Sequence, residues 1–256
     1  MTGYSGVRRR TLSDVEKTLW VHPDIPFGLV RRELNRDDET GAATLVVDVP
    51  PGWSMPGSAN SSPLEMLVLD GSIVCGTREL ARGHYTFLPT GSPFADISTD
   101  NGATILLWHD GAVAALPEAQ WDRSAVVQET VDVFDPANWV GLREAFAHID
   151  TSSHNRVIGR ALCIRLRTFE ETGGDTVLFM MAKGFRKLDL EVHESAEEVV
   201  TLSGILTTDP EHVYEPGEYF CWEPNVVHGP VTGWDAVCIS KHRGQFTSAS
   251  VEIAGP

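Results

Sequence analysis

Residues 193 to 228 combine the residue types and the spacing of a metal site. His193 and His228 lie at the two ends, and the pair Glu197 and Glu198 lies between them, separated from His228 by a strand pattern, a glycine turn and a proline turn. Histidine nitrogens and carboxylate oxygens are good ligands for first-row metals, and two histidines with one carboxylate leave coordination positions open for water, oxygen or substrate. The spacing therefore predicts a β-barrel in which ligands from different strands meet at one metal.

A strand pattern with a period of two leads into His193. Apolar residues alternate there with Asp189, Glu191 and His193, so these three side chains share one face of the strand. Glu191 is therefore a further candidate ligand, and either acid could serve as a catalytic base. Two alternatives stay open: His193 could be a polar interior residue hydrogen-bonded to Glu198, and Glu198 could orient a ligand instead of being one.

Large apolar side chains in nearby strand patterns are candidates for a substrate pocket. Phe179, Met181 and Trp222 are predicted to line the barrel beside the metal, and the alternative for each is ordinary core packing. The histidines outside the 193–228 stretch favour structural or solvated roles. Among them, His242 follows the last strand pattern and could approach the site, a role that the sequence only weakly favours.

The composition excludes several classes of partner. The chain has 256 residues and a formal net charge of −16, with 36 acidic against 20 basic residues, so nucleic acid and anionic membranes are poor partners. No apolar run reaches transmembrane length, and no apolar region follows the N-terminal basic residues as in a signal peptide. The four cysteines form no CxxC pair, which is typical of free thiols in a reducing compartment. We expect a cytoplasmic protein that acts on a small molecule.

Short strand patterns punctuated by glycine and proline fill two regions of the chain. Such patterns are typical of antiparallel sandwiches and barrels, so the predicted fold class is all-β. Between the two regions, patterns over 117–128 and 135–149 favour helices. The predicted organisation is an N-terminal arm over 1–26, a first domain over 27–110, a partly helical connection over 111–156 and a second domain over 157–256.

An internal repeat relates the two strand-rich regions. Glu65 and Gly71 are separated by five residues, as are Glu198 and Gly204, and further glycines and prolines follow at similar spacings. Phe94 occupies the place of His228. The first copy is therefore predicted to have lost its metal site. Because Glu65 corresponds to Glu198, the repeat favours Glu198 over Glu197 as the ligand, although the distance to Gly204 would allow Glu197.

These motifs resemble those of the cupin superfamily. The first cupin motif is similar to the segment from Glu191 through His193 and the glutamate pair to Gly204, and the second to Gly217 through Pro224 to His228. The resemblance covers about residues 27–108 and 157–243, and the whole chain looks like a bicupin, similar to the acetylacetone-cleaving and anti-sigma-factor-like cupins. One departure is that Glu191 stands where the family's first histidine is usual.

The resemblance implies two tandem jelly-roll barrels joined by a short helical connection, the second of which binds a divalent metal. The implied ligands are His193, Glu198 and His228, with Glu191 as a fourth, and Glu191 and Glu198 are the implied catalytic carboxylates. Fe(II) is favoured, and manganese, nickel, copper and zinc are alternatives. The implied activity is a dioxygenase acting on a small enolisable carbonyl, phenolic or polyketide-like compound, in a homodimer. The alternatives are a non-oxidative cyclase or isomerase and a non-catalytic metal- or ligand-binding protein.

Overall fold

The computed structural model divides the chain into two compact units. The N-terminal unit is Asp14–Pro136, and the C-terminal unit joins Met1–Ser13 to Ala137–Pro256. The structure describes residues 7–125, 130–147, 156–168, 174–209, 212–244 and 249–251.

The N-terminal unit is built almost entirely from antiparallel strands. Its central sheet has the order β11-β8-β6-β10-β4-β3-β2, and three shorter strands, β5, β7 and β9, pair alongside. After strand β1 (Val7–Thr11), which belongs to the C-terminal unit, the strands are β2 (Thr18–Leu19), β3 (Val30–Arg36), β4 (Ala43–Val49), β5 (Ser54–Met55), β6 (Leu64–Cys75), β7 (Arg78–Ala81), β8 (His84–Leu88), β9 (Ile97–Ser98), β10 (Ala103–His109) and β11 (Val131–Asp132).

The C-terminal unit has a closely similar arrangement. Its central order is β1-β20-β18-β21-β15-β14-β12, with β13, β16 and β19 pairing alongside and β17 paired with β22 as a separate ribbon. The strands are β12 (Val140–Gly141), β13 (Val157–Ile158), β14 (Ala161–Arg167), β15 (Asp175–Met181), β16 (Phe185–Lys187), β17 (Leu190–Val192), β18 (Glu197–Asp209), β19 (His212–Tyr214), β20 (Glu218–Trp222), β21 (Val231–His242) and β22 (Ala249–Val251).

Each unit surrounds a core of its own. In the N-terminal unit, alternate residues of β4 and β10, including Leu45, Val47 and Ile105, pack with Trp53 and Phe94. In the C-terminal unit a second cluster is formed by side chains such as Phe185, Val199, Phe220 and Trp222. Strands that point alternate side chains into such an interior produce the observed antiparallel barrels, because side chains on a strand alternate between its two faces.

Two glycines at corresponding positions of the repeat have the same backbone conformation in the two units. Gly71 and Gly204 lie within the long strands β6 and β18 and have φ of 70° and 68°. A Cβ at either position would collide with a backbone carbonyl, that of Gly102 or that of Asp235. Both positions therefore require glycine, which explains why each copy of the repeat retains it.

The termini of the domains differ from the predicted organisation. The predicted N-terminal arm is divided: β1 pairs with β20 in register from Val7 opposite Trp222 to Thr11 opposite Glu218, whereas Thr18–Leu19 pairs in the N-terminal unit. The arm contains polar residues whose backbone groups pair at the edge of a sheet. The pattern of apolar and polar residues within the arm does not by itself reveal this pairing.

The predicted helical connection is shorter than the sequence indicated. It contains the 3-10 turns Glu118–Gln120 and Pro136–Asn138 and the short helix α1 (Leu142–Ala145). Val140, within the predicted helix over 135–149, instead pairs with Cys163 in the sheet. Residues 126–128 and 148–149 of the predicted helices lie outside the described residues. Within the described part of the chain, no helix is long and apolar enough to cross a membrane.

Candidate metal centre

Three backbone pairings bring the chemically active side chains of the C-terminal unit together. Glu191, on β17, exchanges two backbone hydrogen bonds of 2.9 Å with His228. Glu197, the first residue of β18, lies opposite His242, the last residue of β21. The backbone N–H of Asn225 donates to the carbonyl oxygen of His193 at 2.8 Å. Elements far apart in sequence therefore present two carboxylates and three imidazoles to one point.

The carboxylate of Glu197 is the centre of this cluster. Its Oε2 lies 3.2 Å from Nε2 of His193 and 3.3 Å from Nε2 of His228, and its Oε1 lies 3.6 Å from Nε2 of His242. Ser240 donates its hydroxyl hydrogen to the same Oε1 at 2.7 Å. Three histidine Nε2 atoms thus converge on one buried carboxylate.

Ring contacts hold the imidazoles in place. The ring of Trp222 stacks on that of His228, with centroids 4.1 Å apart and planes 15° apart. The ring of His193 lies between two other imidazoles. Its centroid is 4.9 Å from that of His228 and 5.0 Å from that of His242. All three histidines are at most 3% exposed, so the rings have little freedom to turn away from the cluster.

Glu191 and Lys187 form a buried ion pair at the edge of this cluster. The ammonium group of Lys187 contacts Oε2 of Glu191, and Oε1 of Glu191 lies 3.7 Å from Nε2 of His228. Lys187 and Glu191 are each 7% exposed. Since a buried charge is stable only when it is paired, each of these side chains explains the presence of the other.

Glu191 and Glu197 are ionised throughout the neutral pH range. Burial by itself would raise the pKa of Glu191, but Lys187 and then the two nearby histidines outweigh it and lower that pKa to about 2. Burial also opposes ionisation of Glu197, whose pKa nevertheless falls well below 4.5 because of the field of His242 and the close approach of the imidazoles of His193 and His228. Burial lowers the pKa of His242 to about 4, against the opposing charge of Glu197.

The prediction that Glu198 is a metal ligand and a catalytic carboxylate needs correction. Its carboxylate accepts a hydrogen bond from the hydroxyl of Tyr219 at 2.9 Å and one from Nε of Arg243 at 2.6 Å. Among the described residues, the groups of side chains close enough to share a metal include Glu197 and not Glu198. Because neighbouring residues of a strand point to opposite faces, only one of the two glutamates can face the histidines, and it is Glu197.

The other predicted site residues lie in the cluster, beside it or outside it. Glu191, His193 and His228 form one group whose ligand atoms lie within 4.8 Å of one another. Phe179, Met181 and Trp222 line the neighbouring cavity. Asp189, which shares the strand pattern of Glu191, is outside the cluster, with its Oδ1 3.3 Å from the guanidinium of Arg156.

His242 is the residue whose importance the sequence analysis underestimated. It forms a second candidate metal group with His193 and Glu197 and is fully buried. The usable signal was strand parity: Cys238, Ser240 and His242 alternate along β21, and the first two also line the cavity. This period of two places His242 on the inward face of the strand.

The donor set suits a divalent metal. Ligand atoms at about 2.1 Å from a metal and at right angles lie about 3 Å apart, close to the separations around Glu197. Nε2 of His228 is buried and makes no hydrogen bond of acceptable geometry within the described residues. Such an orphaned imidazole nitrogen is costly in a folded protein and is explained by a ligand role. Nitrogen and oxygen donors without thiolate fit iron, manganese, nickel or zinc.

A cavity of about 80 Å³ opens beside the cluster. Its wall is mainly apolar, and the polar groups that reach it are concentrated at the metal-binding end, with Glu191, Glu197 and His228 near Lys187. An apolar chamber with a few convergent polar groups is the usual form of a small-molecule site. The apolar side chains include Phe146, Phe179, Met181, Phe185, Phe220 and Trp222.

Several solved structures have the same fold. A protein from Nostoc punctiforme described as a putative dioxygenase is 19% identical, with a TM-score of 0.78, over 97% of this chain and 87% of that one. Oxalate decarboxylase from Bacillus subtilis at pH 4.6 is 14% identical, with a TM-score of 0.56, over 95% and 78%. A single-residue variant of that enzyme is 12% identical, with a TM-score of 0.57, over 95% and 79%.

These similarities confirm the all-β cupin fold that the sequence predicted, since oxalate decarboxylase is a cupin. At identities below 20% they establish the fold and not the reaction. No curated protein shows a significant match to the chain. Residues 29–248 match the model of the family described as Domain of unknown function (DUF4437), and the chain therefore belongs to that family.

Proposed function

We propose that this protein is a metal-dependent dioxygenase that cleaves a small enolisable carbonyl compound in its C-terminal unit. The observation that carries the proposal is the convergence of three histidine Nε2 atoms and the carboxylates of Glu197 and Glu191 at one end of an apolar cavity. Solved structures of the same fold include a protein described as a putative dioxygenase, which is consistent with this class of reaction.

In this proposal, His193, Glu197, His228 and His242 hold a divalent metal. His242 supplies the third imidazole, which compensates for Glu191 at the position where a histidine is usual. Three neutral nitrogens and one carboxylate favour Fe(II), with manganese, nickel and zinc as alternatives. When bound there, the metal would supply Lewis acidity and, if it is iron, the redox chemistry of oxygen.

The residues around the metal have separate tasks. Ser240, which donates to Oε1 of Glu197, and Trp222, which stacks on His228, fix the orientation of two ligands. The apolar wall excludes water from the reacting compound and strengthens every charge interaction within the cavity. A compact substrate with an apolar body is therefore preferred over a sugar or a nucleotide.

Lys187 is the group that selects the ionisation state of the substrate. It is the one lysine or arginine among the residues described as lining the cavity, and its ammonium group is held beside Glu191. A carboxylate with a pKa of about 2 is a weak base, so Glu191 acts better as an anchor for Lys187 than as a proton acceptor. An enolate or phenolate oxygen placed beside Lys187 would gain a charge-assisted hydrogen bond.

The proposed reaction consumes one O₂ for each substrate. For a 1,3-diketone, one carbon–carbon bond next to a carbonyl breaks, and the two oxygen atoms enter the two products. One fragment leaves as a carboxylic acid and the other as a 1,2-dicarbonyl compound. No further reductant is needed, because the four electrons that reduce O₂ come from the substrate.

The test measures metal content and oxygen uptake in the same preparation. Protein loaded anaerobically with Fe(II) should consume oxygen when pentane-2,4-dione is added, with one carboxylic acid formed for each O₂. The variant Lys187→Met, similar in length but uncharged, should retain the metal and lose at least about ten-fold in kcat/KM. Lys17→Met, which makes the same change at a lysine of the N-terminal unit, is the matched control.

Two outcomes would overturn the assignment. If the protein binds no divalent metal, His193, His228 and His242 are structural hydrogen-bonding residues and the protein is not a metalloenzyme. If it binds a metal and converts the compounds without oxygen uptake, the reaction is a cyclisation or isomerisation and the dioxygenase assignment is wrong.

A further inference from the structure

The N-terminal unit contains a cavity of its own. Its volume is about 100 Å³, and it lies within the barrel formed by strands β4, β6 and β10. The wall is apolar: Trp20, Trp53, Met66, Phe94 and Leu107 line it together with aliphatic side chains. Asp24 is the only charged residue among those described as lining it, and no lysine or arginine takes part. Anionic compounds are therefore unsuited to this chamber.

One buried polar group points to a ligand. Asn60 lines the cavity and is 7% exposed, and its Nδ2 has no hydrogen-bond partner among the described residues. Its backbone carbonyl oxygen is engaged, since it accepts from the N–H of Gly91 at 2.9 Å. A buried amide donor without an acceptor destabilises a fold, so its retention in an apolar wall calls for an acceptor supplied from elsewhere.

The mouth of the cavity is an ordered structure. Nε2 of His22 lies 3.0 Å from the carbonyl oxygen of Val113, and Oδ2 of Asp24 accepts a hydrogen bond from the N–H of Ala115 at 3.0 Å. The segments around these residues are thereby tied together at the edge of the chamber. These contacts engage His22 and Asp24, whereas Nδ2 of Asn60 is a donor without a partner among the described residues.

The chemistry of the wall determines the class of ligand. A buried water needs two to four polar partners, whereas this wall is mainly apolar and the other polar side chains that line it, His22, Asp24 and Ser58, already take part in hydrogen bonds. We propose that the N-terminal cavity binds a small, uncharged, mostly apolar molecule that carries one acceptor oxygen, with a carbonyl or ether group placed against Nδ2 of Asn60. A cavity of about 150 Å³ accommodates benzene, so the smaller volume here, about 100 Å³, limits the ligand to about the size of a five-membered ring.

The inference is tested with two probes that differ by one acceptor. Full-length protein labelled with ¹⁵N in asparagine side chains is titrated with cyclopentanone and, separately, with cyclopentane. Cyclopentanone should shift the side-chain amide resonances of Asn60 in a saturable way. Cyclopentane should bind about ten-fold more weakly, because it cannot accept the hydrogen bond.

A shape-matched variant separates the hydrogen bond from the cavity. Asn60→Leu removes the donor and keeps a side chain of similar shape, and it should fold because it replaces an unpartnered polar group by an apolar one. It should bind the two probes with equal affinity. Binding to this variant is measured from the shift of a methyl resonance. Leu107→Phe, which fills the chamber, should weaken both probes.

Two results would overturn the inference. One is the absence of any saturable shift of the Asn60 amide with cyclopentanone. The other is an unchanged preference for cyclopentanone over cyclopentane in Asn60→Leu. The variant His228→Phe, in the other unit, should bind the probe at Asn60 like the wild type, which distinguishes this cavity from the candidate metal centre.

Discussion

The two units use the same backbone connections at positions where their side chains have diverged. The N–H of Gly91 donates to the carbonyl oxygen of Asn60 as that of Asn225 donates to His193. Strand pairing and isolated bridges extend the match across the whole site. The corresponding pairs, N-terminal unit first, are Ser58 and Glu191, Asn60 and His193, Leu64 and Glu197, Phe94 and His228, and His109 and His242.

The difference between the pairs shows how one fold supports two kinds of cavity. Three positions that offer metal donors in the C-terminal unit carry apolar or amide side chains in the N-terminal unit, namely Asn60, Leu64 and Phe94. His109 keeps the imidazole, but its Nδ1 lies 2.7 Å from the carbonyl oxygen of Gly111. Since the backbone is maintained, the type of side chain alone separates a candidate metal centre from an apolar chamber.

A second pair of residues has not diverged. The hydroxyl of Tyr85 donates to Oε2 of Glu65 at 2.5 Å, as that of Tyr219 donates to Glu198. Both glutamates are at most 2% exposed. A buried carboxylate with a phenol partner in both copies is a structural element, because it is independent of whether the cavity holds metal donors.

Exchanging donor residues between the units should have the largest effect. His193→Asn together with His228→Phe gives the C-terminal unit the side chains of the N-terminal one. Metal affinity should fall by more than about 100-fold, since loss of residues that merely orient a ligand already costs up to that factor. Metal per chain, measured by elemental analysis after desalting, checks the prediction.

The reverse exchange is its control. Phe94→His alone should create no metal binding, because Leu64 remains where the carboxylate is required. A double variant that keeps its full metal content would show that the donors lie elsewhere.

The neighbouring glutamates of β18 should separate metal binding from stability. Glu197→Gln should lose the metal. Glu198→Gln should keep it but lower the free energy of unfolding by about 2–4 kcal/mol, because Arg243 loses its carboxylate partner. Urea denaturation and elemental analysis of both variants provide the measurements.

Glu65→Gln extends this comparison to the other unit. It should lower stability without changing the metal content, as Glu198→Gln does. If Glu198→Gln lost the metal while Glu197→Gln retained it, the assignment from the geometry would be reversed.

The glutamates of β18 also show which features of the site could be predicted from the sequence. Composition, strand periodicity and the paired motifs were sufficient for the cupin fold, since they reflect the alternation of side chains that the barrels require. The internal repeat then favoured Glu198, because it matched Glu65. A repeat identifies what both copies retain, which here is the Glu–Tyr pair, whereas metal donors are what one copy lacks. Strand parity along β21 indicates only that His242 faces inward. Its position beside Glu197 depends on the register between β18 and β21, which the spacing along one strand does not contain.

A pH titration should show the effect of the buried imidazole of His242 on stability. Its pKa is about 4 in the folded chain against 6.5 unfolded, so the unfolded chain binds the extra proton first as pH falls. Stability should therefore be complete above pH 6.5 and decline towards pH 4. The loss is on the order of 3 kcal/mol, and the glutamates with lowered pKa add to it only below about pH 4.5.

The measurement is urea denaturation of metal-free protein between pH 7 and 4.5. His242→Gln should flatten the dependence in this interval, because the neutral amide takes up no proton in either state. His109→Gln is the matched control in the N-terminal unit. An equally steep dependence in His242→Gln would refute the role assigned to His242.

The smallest effect should come from the turn that precedes His228. Asn225 has φ of 64°, and Gly91 at the matching position has φ of 74°. Asn225→Gly should change the free energy of unfolding by less than about 0.5 kcal/mol, because asparagine and glycine both tolerate this conformation. Asn225→Val should cost about 1–2 kcal/mol, since a β-branched residue is strained there. The backbone N–H of Asn225 donates to the carbonyl oxygen of His193. A strained valine would displace this N–H, so Asn225→Val should weaken metal binding, whereas Gly91→Val should leave it unchanged. Equal metal affinity in the two valine variants would mean that the turn does not position the histidines.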